Sequence, residues 1–314
     1  MSGRGTPTEI ETPNERILNR EEAKAHAEHY GKALDALQDM VAYGTHLIIR
    51  AYNSSEKGNI AVVVIGSLLT QLVAMLDGVE LLVREGHGYP ALLQMRAAFE
   101  ASVYIDWILK ADSENRACHY LVGNLRDERI WANRGITGTQ EKQSFDTVFH
   151  PSPVVATELA KIDAEARSHL AEVDSILGRP AFRAIDASFA RKKGNKPYDP
   201  GWYEVLGLSS FRRVADDVGR LREYELIYGR GSDAMHAGLA KDHIRFVKGG
   251  FKFRHIRNLT DAHDALTFSM AQGIHTYRVI LDRYRTGEGL AFGQRYLERW
   301  QSSLKSMPHI KYKL

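Results

Sequence analysis

The chain has 314 residues, 44% of them hydrophobic and 26% charged, with a formal net charge of +3. That composition suits one large globular domain, or one domain carrying an inserted lobe; the mild basicity permits a nucleic-acid partner without requiring one. Cys118 is the only cysteine, which excludes an intramolecular disulfide and makes a reducing, cytoplasmic setting the simplest expectation.

Residues 1–15 (MSGRGTPTEIETPNE) lack an apolar core, so they read as a flexible lead-in and not as a secretory signal. A first helix is expected from Arg20 to Tyr52, with Leu34, Leu37, Val41, Leu47 and Ile48 at helical spacing. Asn53-Ser54-Ser55 ends it and offers a cap for a second helix, about Glu56 to Arg84. Within that helix Ile60 to Leu76 is the one run that could be mistaken for a membrane span. It is marginal in length and carries Ser67, Thr70 and Gln71, with Asp77 directly after it. A central helix buried on all sides is the expected reading, with no membrane contact.

The break Glu85-Gly86-His87-Gly88-Tyr89-Pro90 leads into a third helix that runs to about Lys110, with Pro90 in its first turn. Asp112-Ser113 then caps a polar fourth helix bearing His119, Arg126, Asp127, Arg129 and Trp131. Residues 135–204 change character: loop-like GITGTQEKQ and FHPSP, an exposed charged helix over 154–177, and the basic loop RKKGNKPYDPG. This stretch reads as a helical insertion into a single domain spanning 16–314. The core pattern resumes near Ser209 in a helix expected to run on to His236. A β-hairpin over 243–255 follows, then a long helix from Thr260 to Arg285 and a shorter one from Ala291 to Leu304.

The least ordinary feature is the series Tyr224, Tyr228, Ser232, His236. Successive i, i+4 steps drift by about 40° around a helix, so the four positions fall within an arc of roughly 120°. Two phenols, a hydroxyl and an imidazole there form a row of donors and acceptors that must be satisfied or used. They read either as a working site or as a hydrogen-bond ladder between helices. Arg230 precedes His236 by six, but the same spacing recurs at Arg20–His26 and Arg257–His263, so the pattern alone says little. Arg230 is distinguished by its setting between Gly229 and Gly231. On an unbroken helix it points about 120° away from His236, a mismatch that a glycine-loosened helix could relieve.

Arg96 and Glu100 form a second charged pair, set among Leu92, Leu93, Phe99 and Val103. If buried they need partners, and the order Arg then Glu is the weaker one for a surface pair. They read as an intrahelical bridge or as groups facing the Tyr/Ser/His stripe. In the hairpin, strands His243–Lys248 and Phe251–His255 are expected to join through Gly249-Gly250. That register sets Phe246 opposite Phe253 on one face. On the other it sets Arg245 opposite Arg254, with Val247 beside Lys252. Arg245, Lys248, Lys252 and Arg254 are therefore candidate RNA contacts, beside the plainer reading of a solvated face. No phosphate loop, HExxH, CxxC or nucleophile elbow occurs, and neither a metal site nor a cofactor is expected.

LLQMRAAFEASVYIDWIL, the helix ending YELIYGRGSDAMHAG, the hairpin and the closing helix together resemble an uncharacterised bacterial family of the HEPN-like superfamily. The likeness covers roughly 20–134 and 205–286, and its specific marks are Arg96-x3-Glu100 and Tyr228-x3-Ser232-x3-His236. It implies a helical bundle, often a homodimer, acting as a metal-independent endoribonuclease in antiphage defence or as a toxin with an antitoxin or defence-system partner. It also implies an Arg-x4-6-His site, here Arg230 and His236. The sequence departs from the family pattern in placing Gly231, not a polar residue, after that arginine. The alternative is a non-catalytic helical module that binds nucleotides or partners.

Overall fold

The computed structural model describes residues 17–149, 153–236 and 243–310, so the 1–15 lead-in lies outside it. The fold is mainly α, and the sheet seen among the described residues is one two-stranded antiparallel hairpin. Four long helices form the centre: α2 (Gly31–Asn53), α3 (Ile60–Arg84), α4 (Gly88–Lys110) and α13 (Ala262–Tyr284), with α5 (Ser113–Gly135) packed on α3 and α4. Their apolar stripes meet in one core that includes Leu37, Leu72, Leu76, Phe99 and Met270. Inside it the Tyr277 hydroxyl donates to the Met40 carbonyl at 3.0 Å, which satisfies a phenol with no access to water.

Several expected boundaries move. The first helix is broken: α1 (Arg20–Ala27) ends in a 3-10 turn over Glu28–Tyr30 before α2 begins at Gly31. The helix α3 starts at Ile60, not Glu56, because the acceptors lie later in the chain. Asn59 Oδ1 accepts the Val62 N–H at 3.2 Å, and the Glu114 carboxylate accepts the N–H groups of Ile60 and Ala61. A negative side chain at a helix N-terminus also suits the helix dipole. Asp112 does precede α5, but it makes no capping bond and sits at φ 47°.

The helix α3 is long and apolar enough to cross a membrane. In the fold it is not buried on all sides: Leu68, Leu69, Leu72 and Leu76 face the core, while Val63 and Leu81 are more than half exposed.

The described part of 135–204 is largely helical and lies against α5. It comprises α6 (Gln140–Phe149), α7 (Pro153–Leu177), α8 (Pro180–Lys193) and the single turn α9 (Trp202–Val205). The charged face of α5 holds them: Arg126 bonds Asp199 and Asp186, and Arg129 bonds Asp174 at 2.9 Å. The helix α7 is less exposed than expected, since Val173 and Leu177 are buried.

The expected helix from Ser209 to His236 is four pieces. The helix α10 (Phe211–Asp217) stops before Gly219, whose φ of +74° only glycine adopts easily, and α11 (Leu221–Glu223) follows. The chain then widens into a π-helical turn over Tyr224–Tyr228 and closes as α12 (Gly229–Met235). Wide turns of this kind are rare and often mark working surfaces.

The hairpin also differs from expectation. Strands β1 (Ile244–Val247) and β2 (Gly250–Phe253) pair Ile244 with Phe253, Arg245 with Lys252, Phe246 with Phe251, and Val247 with Gly250. The turn is thus Lys248-Gly249, not Gly249-Gly250, because the one left-handed position falls on Gly249 at φ +92°. Phe246 therefore faces Phe251 instead of Phe253, and Arg245 faces Lys252 instead of Arg254. A two-residue shift preserves which side chains share a face, so Phe246 and Phe253 remain together.

Candidate functional site

The segment 211–236 runs antiparallel to α4, and the two share a polar seam. At one end α12 touches α4 through Gly231: a β-carbon there would lie 2.6 Å from Arg96 Cβ and 3.1 Å from the Leu92 carbonyl oxygen. The glycines thus do not loosen the helix. Gly231 permits close contact between helices, while a β-carbon at Gly229 would meet open space.

That contact buries Arg96, which is 8% exposed and fully engaged. Its Nη2 donates to the Tyr228 hydroxyl at 2.7 Å, its Nε to Glu100 at 3.2 Å, and its Nη1 reaches Met235 Sδ at 3.5 Å. The guanidinium also lies 4.1 Å from the Tyr228 ring centroid. Arg96, Glu100 and Tyr228 therefore come together as their pattern suggested. Tyr224 and Tyr228 stack at 4.7 Å, a separation set by the π turn, and both rings lean on Phe211.

Glu100 sits at the mouth of this cluster with a third of its side chain exposed. Burial pushes its carboxyl above the usual carboxylate range, and the Arg96 guanidinium pulls it back only in part. Burial likewise raises the phenols of Tyr104, Tyr203 and Tyr224. Neutral hydroxyls and aromatic rings thus surround one partly exposed carboxyl.

The other predicted residues lie elsewhere on the seam. Arg230 turns away from Arg96 and pairs with Asp261 at 2.7 Å, leaving about a third of its side chain exposed. Ser232 is half-buried, and its carbonyl accepts the His236 N–H at 3.0 Å. His236 caps α12 and is exposed. Lys248 and Lys252 are exposed on the hairpin and Arg254 is half-buried, while the Arg245 side chain lies outside the described atoms. Among the described residues no three His, Cys, Asp or Glu side chains gather to hold a metal ion.

The densest polar cluster of the seam escaped the sequence reading. Arg220 is 4% exposed, and its guanidinium reaches Ser102 at 2.6 Å, Asp106 at 2.8 Å, Glu223 at 2.6 Å and Gln272. His275 Nε2 meets the same Asp106 oxygen at 2.8 Å, Thr276 donates to Ser102, and Gln272 donates to Glu223. Burial pushes Glu223 up, but the hydrogen bond and charge of Arg220 outweigh it and hold this carboxyl below its ordinary range. One signal was available: Asp106 lies in the apolar run ASVYIDWILK, the same anomaly that drew attention to Arg96. Its partners could not be read, because Arg220 and His275 arrive from 114 and 169 positions away.

No curated protein and no solved structure matches the chain. A family model does match residues 62–250, running through the 135–204 segment, and since this is more than half of the sequence the chain belongs to DUF5677, a family of unknown function.

Proposed function

We propose that the chain is a HEPN-like protein that cleaves RNA without a metal ion. The observation that carries this reading is on α12: an exposed His236 and a partly exposed Arg230 that Asp261 holds in place. His236 serves as general acid or base at the 2′-hydroxyl or the leaving oxygen, a role suited to an imidazole near neutral pH. Arg230 stabilises charge developing on the phosphate. Arg96 is buried and engaged on several sides, so it positions Tyr228 and α12 and does not touch the strand. On an unbroken helix Arg230 and His236 would point about 120° apart, and Arg230 is turned to Asp261, so a complete site draws one of them from each of two copies.

The test is cleavage of total RNA by purified protein in EDTA. Wild type remains active, and His236→Ala loses about 10²- to 10⁴-fold at an unchanged melting temperature. Mixing His236→Ala with Arg230→Ala then restores part of the activity. Absence of cleavage by the wild type sinks the reading.

A second reading is favoured by the same Arg96. Its engagement makes this end of the seam a hydrogen-bond ladder, as in a non-catalytic module that binds nucleotides or partners. In that case no protein cleaves, and His236→Ala is silent.

A further inference from the structure

The basic run RKKGNKPYDPG, residues 191–201, takes no part in the site on α12. In the fold it continues α8, whose inner face is fixed: Phe182 and Phe189 are buried, and Asp186 is bonded to Arg126 and Arg129. Asp199, the other acid between Arg179 and Pro200, turns to Arg126 and to Lys193 at 2.9 Å. What remains outside is cationic. Arg179, Arg183, Arg191, Lys192 and Lys196 are all exposed, and among the described residues none of them pairs with a carboxylate. Arg183 donates to the Gly178 carbonyl at 2.9 Å, which leaves its charge unmatched.

A solvated helix face has a different pattern, and the neighbouring α7 shows it: Lys161 pairs with Glu158, and Arg167 with Asp163. On α8 the arginines alternate instead with Ala184, Ala187 and Ala190, all exposed, and no acid shares their face. Positions 179, 183, 187 and 191 advance by i, i+4, so the row turns through about 120° over roughly 18 Å. Like charges at i, i+4 destabilise a helix, and Arg179 and Arg183 at its start also oppose its dipole. Neither helix stability nor folding accounts for them.

A basic helix can also lie on an anionic membrane, but it then sinks an apolar face into the lipid. The phenylalanines of α8 are already buried against the protein, and its outward face offers only alanine. Arginine forks match pairs of phosphate oxygens, and small side chains between them let a phosphate chain come close. We infer that the outer face of α8 and the loop after it bind RNA along its phosphate backbone: Arg179, Arg183 and Arg191 hold phosphates, and Lys192 and Lys196 extend the track. No aromatic ring is exposed between Arg179 and Lys192, so this contact reads no bases. The choice of RNA among nucleic acids rests on the RNA reading of the preceding section.

The test uses the full chain carrying His236→Ala, so that the strand persists, and a fluorescein-labelled RNA hairpin followed by anisotropy. The triple variant Arg183→Gln, Arg191→Gln, Lys192→Gln should lose at least about tenfold in affinity at about 100 mM salt, with an unchanged melting temperature. Its plot of log affinity against log salt should be shallower by about two to three, roughly one for each lost phosphate contact. A control removes equal charge elsewhere: Lys57→Gln, Arg299→Gln, Lys305→Gln, at exposed cations that also lack a carboxylate partner among the described residues, should stay within about twofold. If the triple variant melts lower, Lys192→Gln with Lys196→Gln carries the test, with an expected loss of about threefold or more. Full affinity in the α8 variants, or an equal loss in the control, overturns the proposal. So does tighter binding to phosphatidylserine vesicles than to the hairpin. A DNA hairpin bound as well, and weakened alike by the triple variant, keeps the phosphate surface and overturns its assignment to RNA. Binding that the α8 variant loses, with no cleavage by the wild type, removes the nuclease reading and leaves this surface standing.

Discussion

Arg220→Ala should be the most damaging of the simple substitutions on the seam, costing about 3–5 kcal/mol, the range for a buried ion pair that loses one partner. The guanidinium faces two carboxylates, Asp106 and Glu223, and two neutral acceptors, Ser102 and Gln272. Removing it leaves Asp106, 11% exposed, with only the half-exposed imidazole of His275. In a chain of this length the loss corresponds to a melting temperature lower by about 6–10 °C, read by calorimetry or circular dichroism. A drop under about 2 °C would show that the network is not a fastening point.

The pH dependence supplies an independent check. Glu223 has a folded pKa below its ordinary 4.5, so it contributes stability that is present above pH 4.5 and lost as pH falls through the folded value. Without Arg220 the remaining effect of burial raises that pKa and the contribution disappears. The stability difference between wild type and Arg220→Ala should therefore be greatest at neutral pH and narrow below pH 4.5. Because 42% of the Glu223 side chain is exposed, the narrowing is modest beside the total loss.

The paired glycines give the second large effect, and its sign differs between them. Gly231→Ala drives a methyl group into Arg96 Cβ and the Leu92 carbonyl, one of which is backbone and cannot give way cheaply. Overpacking of this kind costs about 1–3 kcal/mol, and here it also pulls Tyr228 off the Arg96 guanidinium, adding about 1 kcal/mol or more. Gly229→Ala, two residues earlier, adds its methyl group to open space on a helical backbone and should stabilise by about 0.5–1 kcal/mol. Urea melts of the two variants would then lie on opposite sides of wild type. Two shifts of the same sign would mean that α12 is not seated on α4.

How much of this was readable differs between elements for physical reasons. The helices α3, α4 and α13 were evident because an apolar face repeats with the helical period, and that repeat is local information. Arg96 and Glu100 stood out because a charge on an apolar helix must have a partner somewhere, and Tyr228 because phenols do not belong on a core stripe without one. The breaks were harder. Gly219 and Gly249 are two of 26 glycines, and nothing local says which of them must adopt a left-handed φ. The hairpin register followed from that choice, so placing the turn one residue late displaced each pairing by two.

By itself, then, the sequence determined a mainly helical chain, its long core helices, and the polar residues on them that needed an explanation. The tertiary structure alone decided who explains them: that Arg96 grips Tyr228, that Arg230 turns to Asp261, and that Arg220, absent from every local pattern, joins α4 to α13. Periodicity is written over a few turns of one helix, whereas a buried charge is matched by whichever distant segment the packing brings within about 3 Å of it.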